Sequence, residues 1–221
     1  MLLDVKNLRK DYQRGSQHFS AVNNVSFSMA QTDFITIMGK SGSGKTTLLN
    51  MIAGLLTPTQ GKITINGTNL FELDDKQVSA FRNQNIGYIP QGSSLLPNLT
   101  ALENIRLPFY LTKRENQSSL NYALELLEKA KIGYLKDTYP ANMSGGEMRR
   151  IAILRALICR PQLVIADEPT SDLDEESSAQ IMALLTEIHQ QGTGLLIVTH
   201  DNDVANYSQR KLKMSSGRLI D

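Results

Sequence analysis

Gly39-Lys40-Ser41-Gly42-Ser43-Gly44-Lys45-Thr46 decides how the rest of the chain is read. It meets every fixed position of G-x-x-x-x-G-K-[ST], a pattern whose backbone N–H groups cradle phosphates. Phe34-Ile35-Thr36-Ile37-Met38 precedes it, a short apolar run rich in β-branched residues that reads as a buried strand. Thr46 to Ala53 follows, with Leu48, Leu49 and Ile52 at helical spacing and Gly54 as a stop signal. The pattern therefore lies between a strand and a helix, the setting in which it has chemical meaning. A Gly/Ser-rich surface loop would share the composition but not this register.

The loop's chemistry follows from its residues. Gly39, Gly42 and Gly44 let the backbone turn tightly, so that successive N–H groups form a nest for anionic oxygens. The following helix presents unpaired N–H groups and its positive end to the same anion. Lys45 adds a point charge for the outer phosphates, and the Thr46 hydroxyl is suited to Mg²⁺.

The chain has 221 residues, enough for one or two domains with a sizeable core. Hydrophobic residues make up 41% and charged residues 20%, ordinary for a globular protein. A net charge of +1 offers no basic surplus for nucleic acid. Cys159 is the single cysteine, which excludes an intramolecular disulfide and fits a reducing compartment; beside Leu157 and Ile158 it reads as a buried thiol. The longest apolar runs, such as Leu195-Leu196-Ile197-Val198, fall far short of the roughly 20 residues needed to span a bilayer. Met1-Leu2-Leu3-Asp4-Val5-Lys6 lacks the charged-then-apolar form of a signal peptide. A cytoplasmic protein is expected, with any membrane role supplied by a partner.

Leu2 to Leu8 and Ala21 to Met29 read as strands, with Asp11 to Ser20 as a polar loop between them. Lys62 to Ile65 and Ile86 to Ile89 are further short strands. Thr100-Ala101-Leu102-Glu103 is a capping box opening a helix that Pro108 ends or kinks, and Leu120 to Lys131 reads as an amphipathic helix. Strand pattern returns at Leu163 to Ala166 and Leu195 to Thr199, around a helix from Glu175 to Gln190. Near-continuous apolar strands alternating with helices imply an α/β fold with a parallel sheet covered on both faces. Ligands bind at the carboxyl ends of such strands. The phosphate loop, Asp167 and His200 all fall there.

Two further constellations carry chemistry. Asp167-Glu168 closes a buried strand, where adjacent carboxylates are costly unless a cation or a reaction needs them. Asp167 is suited to share the Mg²⁺ with Thr46, and Glu168 to accept a proton from an attacking water. A solvated acidic turn leading into Asp172, Asp174, Glu175 and Glu176 is the alternative. In Met143-Ser144-Gly145-Gly146-Glu147, Ser144 and Glu147 form a capping box for a helix running to about Cys159. Capping does not explain two first-turn glycines, each costing on the order of 1 kcal/mol against alanine. Close approach of an anion to that helix end would.

With these residues in order (Gly39–Thr46, Gln91, Ser144-Gly145-Gly146-Glu147, Asp167-Glu168, Ser171-Asp172-Leu173-Asp174 and His200) the chain resembles the ATP-binding cassette ATPases over essentially its whole length. The resemblance implies a RecA-like parallel-sheet core over 1–91 and 161–221, with an N-terminal antiparallel β subdomain and an inserted helical subdomain over 92–160. It implies that Gly39, Lys40, Ser41, Gly42, Ser43, Gly44, Lys45, Thr46 and Thr47 bind the phosphates of ATP. Tyr12 would stack on adenine. Gln91 would sense Mg²⁺ and the attacking water, and His200 the γ-phosphate. Ser144, Gly145 and Gly146 would grip ATP held by a second ATPase subunit, with Asp174 at the shared interface. Catalysis would fall to Glu168, His200, Gln91 and Lys45, and Mg²⁺ to Thr46, Gln91 and Asp167.

Three departures from the family pattern stand out: Met143 in place of leucine, Glu147 in place of glutamine, and Thr32-Asp33 where Gly-Glu is common. Methionine keeps the apolar volume. Glu147 is expected to turn back onto its own helix instead of facing phosphate. Leu95 to Asn104 and Ala166 to Thr170 resemble the branch of lipoprotein-releasing and macrolide- or peptide-exporting transporters. That implies a subunit on the cytoplasmic face of the cell's inner membrane, powering an integral membrane permease. Leu95-Leu96-Pro97 would either receive the permease or pack on the domain itself. The competing function is a soluble cassette ATPase acting on DNA or ribosomes, a class that usually carries basic extensions, paired cassettes or long coiled coils. No nucleic-acid partner is expected.

Overall fold

The computed structural model describes every residue except Ser93, Lys113, Glu115 and Asp221. In chain order its elements are β1 (Leu3–Arg14), β2 (Gln17–Met29), β3 (Phe34–Met38), α1 (Lys45–Ile52), β4 (Gln60–Ile65), β5 (Thr68–Asn69), α2 (Asp75–Asn85) and β6 (Ile86–Ile89). Then come α3 (Ala101–Thr112), α4 (Gln117–Lys129), α5 (Gly145–Leu157), β7 (Leu163–Asp167), α6 (Glu175–Gln190), β8 (Gly194–Thr199), α7 (Asn202–Ala205), β9 (Arg210–Ser215) and β10 (Arg218–Ile220). One sheet, ordered β2-β1-β4-β5, is antiparallel. The other, ordered β10-β9-β3-β8-β7-β6, is parallel except for the β9–β10 hairpin at its edge.

The apolar strands of the parallel sheet sort their residues by the two-residue period of a strand. Phe34, Val164, Ala166, Leu195 and Ile197 face a core shared with α3 to α6. Ile35, Ile37, Leu163, Ile165, Leu196 and Val198 face a second core shared with α1 and the antiparallel sheet. The sheet is therefore buried on both sides, and its strand ends are left as the open rim.

Three local expectations are corrected. Asp11 to Ser20 is not a loop: β1 and β2 continue as a hairpin to a turn at Gly15-Ser16, pairing Tyr12 with Phe19 and Arg14 with Gln17. Pairing across the tight turn outweighs the polar composition there. Of the two readings of Pro108, that it ends or that it kinks its helix, the first falls, because α3 runs on to Thr112; the Pro108 carbonyl accepts from Asn83 Nδ2 at 3.2 Å and Thr112 Oγ1 at 3.0 Å. Cys159 is only half-buried, beside Arg114 and Asn83. The helical segment expected over 92–160 includes Ser93, Lys113 and Glu115, which lie outside the described residues; elsewhere it holds α3, α4 and α5.

Candidate active site

β3 delivers the chain into the phosphate loop, and α1 leaves it with Gly44 as N-cap in the left-handed region at φ 102°. At two of the loop's glycines packing leaves no room for a side chain. A Cβ on Gly39 would lie 2.4 Å from the Met214 carbonyl oxygen, and one on Gly44 2.1 Å from that of Ala21. The β9–β10 turn braces the loop from outside, because Gly217 N donates to Ser43 O at 3.0 Å. Lys45 is 7% exposed, and its ammonium donates to the carbonyls of Gly39 at 2.7 Å and Lys40 at 3.2 Å. The cation is thereby held over the loop.

Asp167 ends β7 almost wholly buried, with the Thr46 hydroxyl beside it. Its Oδ1 has no hydrogen-bond partner among the described residues. Burial pushes its pKa up; Thr46 pulls it down, Glu168 up, and Lys45 and Arg149 down. An orphaned hard oxygen beside a hydroxyl suits Mg²⁺, which takes one or two carboxylates and fills its other positions with waters and phosphate oxygens. No group of three or more His, Cys, Asp or Glu side chains that could hold a metal ion occurs among the described residues.

Glu168 adopts φ 47°, a left-handed conformation that a non-glycine residue holds only when its surroundings enforce it. Its N–H donates to Val198 O at 2.9 Å. Its carboxylate accepts from Thr199 Oγ1 at 2.9 Å, and its Oε1 lies 2.9 Å from His200 Nδ1 and 3.9 Å from Lys45 Nζ. The carboxylate is thus fixed at the junction of β7, β8 and the phosphate loop.

These groups share one cavity of about 940 Å³, lined by Tyr12, Lys40 to Thr47, Gln91, Asp167, Glu168 and His200. Gly39 contributes its carbonyl to the Lys45 ammonium. The cavity also holds Phe19, Ser20, Ala21, Ser216 and Gly217, which sequence reasoning missed. Tyr12 and Phe19 stack with centroids 5.7 Å apart, and Lys10 lies 5.4 Å from the Tyr12 ring. The signal for Phe19 was the Gly15-Ser16 turn: once it is read as a hairpin, Tyr12 and Phe19 become cross-strand neighbours.

Ser144, Gly145, Gly146 and Asp174 do not line that cavity. Ser144 caps α5, accepting from Glu147 N, while Glu147 Oε2 accepts from Ser144 N at 2.7 Å and Oε1 from the Tyr134 hydroxyl at 2.6 Å. Glu147 does turn back onto its own helix. The Tyr134 hydrogen bond, then Ser144, hold its pKa low. Asp174 caps α6 through Ser177, whose Oγ would lie 3.0 Å from a Cβ on Gly146. A Cβ on Gly145 would meet nothing within 4 Å. This protomer thus supplies no contact that would require glycine there.

Residues 22–171 match the family described as ABC transporter. Two solved structures of the ATP-binding cassette MJ0796 are similar over 100% of this chain and 97% of theirs, at 35% identity. One, with a TM-score of 0.93, is described as a dimeric post-hydrolysis state bound to ADP and Pi. The other, with a TM-score of 0.94, is described as a dimeric bacterial ABC transporter cassette.

Proposed function

The chain belongs to the ABC transporter family and is an ATPase; on that footing we propose that it is the motor subunit of a transporter, working as a head-to-tail pair on a separate membrane permease. One observation carries the reading. The phosphate loop, Asp167, Glu168, Gln91 and His200 converge on one cavity, while Ser144 to Gly146 stand outside it with an open glycine at a helix N-terminus. A second copy would bring that helix end to the γ-phosphate, where its N–H groups and dipole favour anionic oxygen. The dimeric description of the similar cassette supports this arrangement.

In this reading the loop N–H groups and Lys45 bind the phosphates, and Tyr12 with Phe19 forms the wall on which adenine rests. Thr46 and Asp167 would hold Mg²⁺, with Gln91 at its open side; when bound, the ion supplies positive charge to the β- and γ-phosphate oxygens. Glu168 orients water and takes its proton as the water oxygen bonds to the γ-phosphorus and the β–γ bridging bond breaks. Thr199 and His200 keep that carboxylate aimed.

Among the described residues no helix is long and apolar enough to cross a membrane; in this proposal the membrane-spanning part is the permease. Its landing place would be the loop before α3. There Leu95 packs on the core while Leu96 stays 44% exposed, held in place by the buried Asn104, whose side chain bonds Leu96 N at 2.8 Å and Leu96 O at 3.1 Å. The branch resemblance favours export or extraction of a lipoprotein, peptide or drug-like substrate from the cytoplasmic face. Two variants test the chemistry: Lys45→Ala should lose most ATP affinity, and Glu168→Gln should bind ATP yet turn it over at least about a hundredfold more slowly. Near-normal turnover by Glu168→Gln would remove it as the base. Co-purification with an integral membrane protein tests the partner; recovery with DNA or ribosomes instead would overturn it.

A further inference from the structure

We propose that Arg149 is a positioning residue for hydrolysis: it clamps the Gln91 segment and the Glu168 turn to α5, the helix that begins at Ser144. The proposal rests on the ATPase reading for its kinetic arm only.

Arg149 is 3% exposed, yet among the described residues its hydrogen bonds all go to main-chain carbonyls. Nε donates to Pro169 O at 2.8 Å, and Nη1 to Pro90 O at 2.7 Å and to Gly92 O. Nη2 donates to Glu168 O and, more weakly, to Asp167 O at 3.4 Å. Taking a guanidinium out of water is unfavourable, and an apolar side chain of similar volume would avoid that cost. What the arginine adds is a planar fork of donors that fixes the spacing of whatever it binds.

The choice of carbonyls is the informative part. Pro90 and Gly92 flank Gln91 on both sides, and Asp167, Glu168 and Pro169 surround the strained carboxylate-bearing turn. One side chain on α5 therefore sets the distance between the two loops that face the cavity. Arg155 repeats the hold two turns further on, donating from Nη1 to Ser94 O at 2.9 Å and from Nη2 to Ser94 Oγ at 2.8 Å. A movement of α5 carries the backbone of Gln91 and Glu168 with it while Arg149 is present. Without Arg149, the helix and the reaction centre move separately.

The test is Arg149→Met in the full chain, read by ATP turnover, equilibrium ATP binding and amide hydrogen exchange, with Ile153→Val as a control in the buried face of the same helix. We expect kcat to fall at least about tenfold while ATP affinity stays within about twofold. Exchange should quicken around Gln91 and Thr170, with residues 151–157 still protected, and Ile153→Val should leave kcat unchanged. Should Arg149→Met fail to fold, Arg149→Lys takes its place, since one ammonium cannot span carbonyls of both loops. Wild-type kcat with unchanged loop exchange in a folded variant overturns the proposal. So does a loss of protection spread through the whole of α5, which marks an ordinary structural residue. A wild-type protein without turnover would count against the ATPase reading alone, because the exchange measurement still reports on the clamp.

Discussion

Asp167 is the residue at which stability and function pull apart. Its carboxylate is buried, one oxygen has no partner among the described residues, and burial raises its pKa. A raised folded-state value means the proton is held more tightly in the fold. The favourable contribution is thus complete at low pH and lost as pH rises through the folded-state pKa. Asp167→Asn should therefore raise the melting temperature of the nucleotide-free protein by a few degrees near neutral pH, from about 1 kcal/mol of relieved desolvation. The same change should abolish Mg²⁺-dependent turnover, and calorimetry beside an ATPase assay checks both halves. Glu147 runs the other way. Its pKa is lowered first by Tyr134, so its contribution is present above the ordinary carboxylate range and fades as pH falls below it. Glu147→Gln should cost under about 1 kcal/mol at pH 7, since the pair is largely solvent-screened, and the difference should shrink as pH falls below the ordinary carboxylate range. Turnover should stay within about twofold, because the carboxylate is already occupied at its own helix end.

At the scale of elements, α5 is the informative one. Its opening glycines are unfavourable for a helix, and among the described residues a Cβ would meet a neighbour only at Gly146, where Ser177 lies close. Gly145→Ala should fold as well as wild type or gain up to about 1 kcal/mol, yet lose turnover at least about tenfold if phosphate from another copy approaches there. Thermal melting and steady-state hydrolysis on one preparation separate the two effects; unimpaired turnover would contradict the trans contact. The elements also differ in how legible they were. The buried strands of the parallel sheet and the helices α1, α5 and α6 carried strong apolar or capping patterns. Helix α2 was missed because none of its residues is buried, so it has no apolar period. Its Asp74–Gln77 capping box was the one available signal. The tip of the β1–β2 hairpin was read as loop for the same reason: its residues are polar, and its order comes from pairing across the turn.

At the scale of the whole molecule, the proposed division of the site between a cavity and a distant helix end would make a pair of chains the working unit. Glu168→Gln with ATP should sediment or scatter as a dimer, and the wild type should return to protomers as ATP is consumed; lone protomers under both conditions would sink the proposed machine. The sequence by itself determined the phosphate loop, the strand-end carboxylates and the capped glycine helix. Each is a contiguous pattern whose chemistry is local, and their order was enough to mark the family. Only the tertiary structure decided that Tyr12 faces Phe19, that the β9–β10 turn braces the loop, and that Arg149 joins α5 to the carbonyls around Gln91 and Glu168. The last two contacts join residues far apart in the chain and end on backbone atoms that every residue type carries, so no pattern of side chains could announce them, whereas the Tyr12–Phe19 stack needed only the Gly15-Ser16 turn to be read as a hairpin.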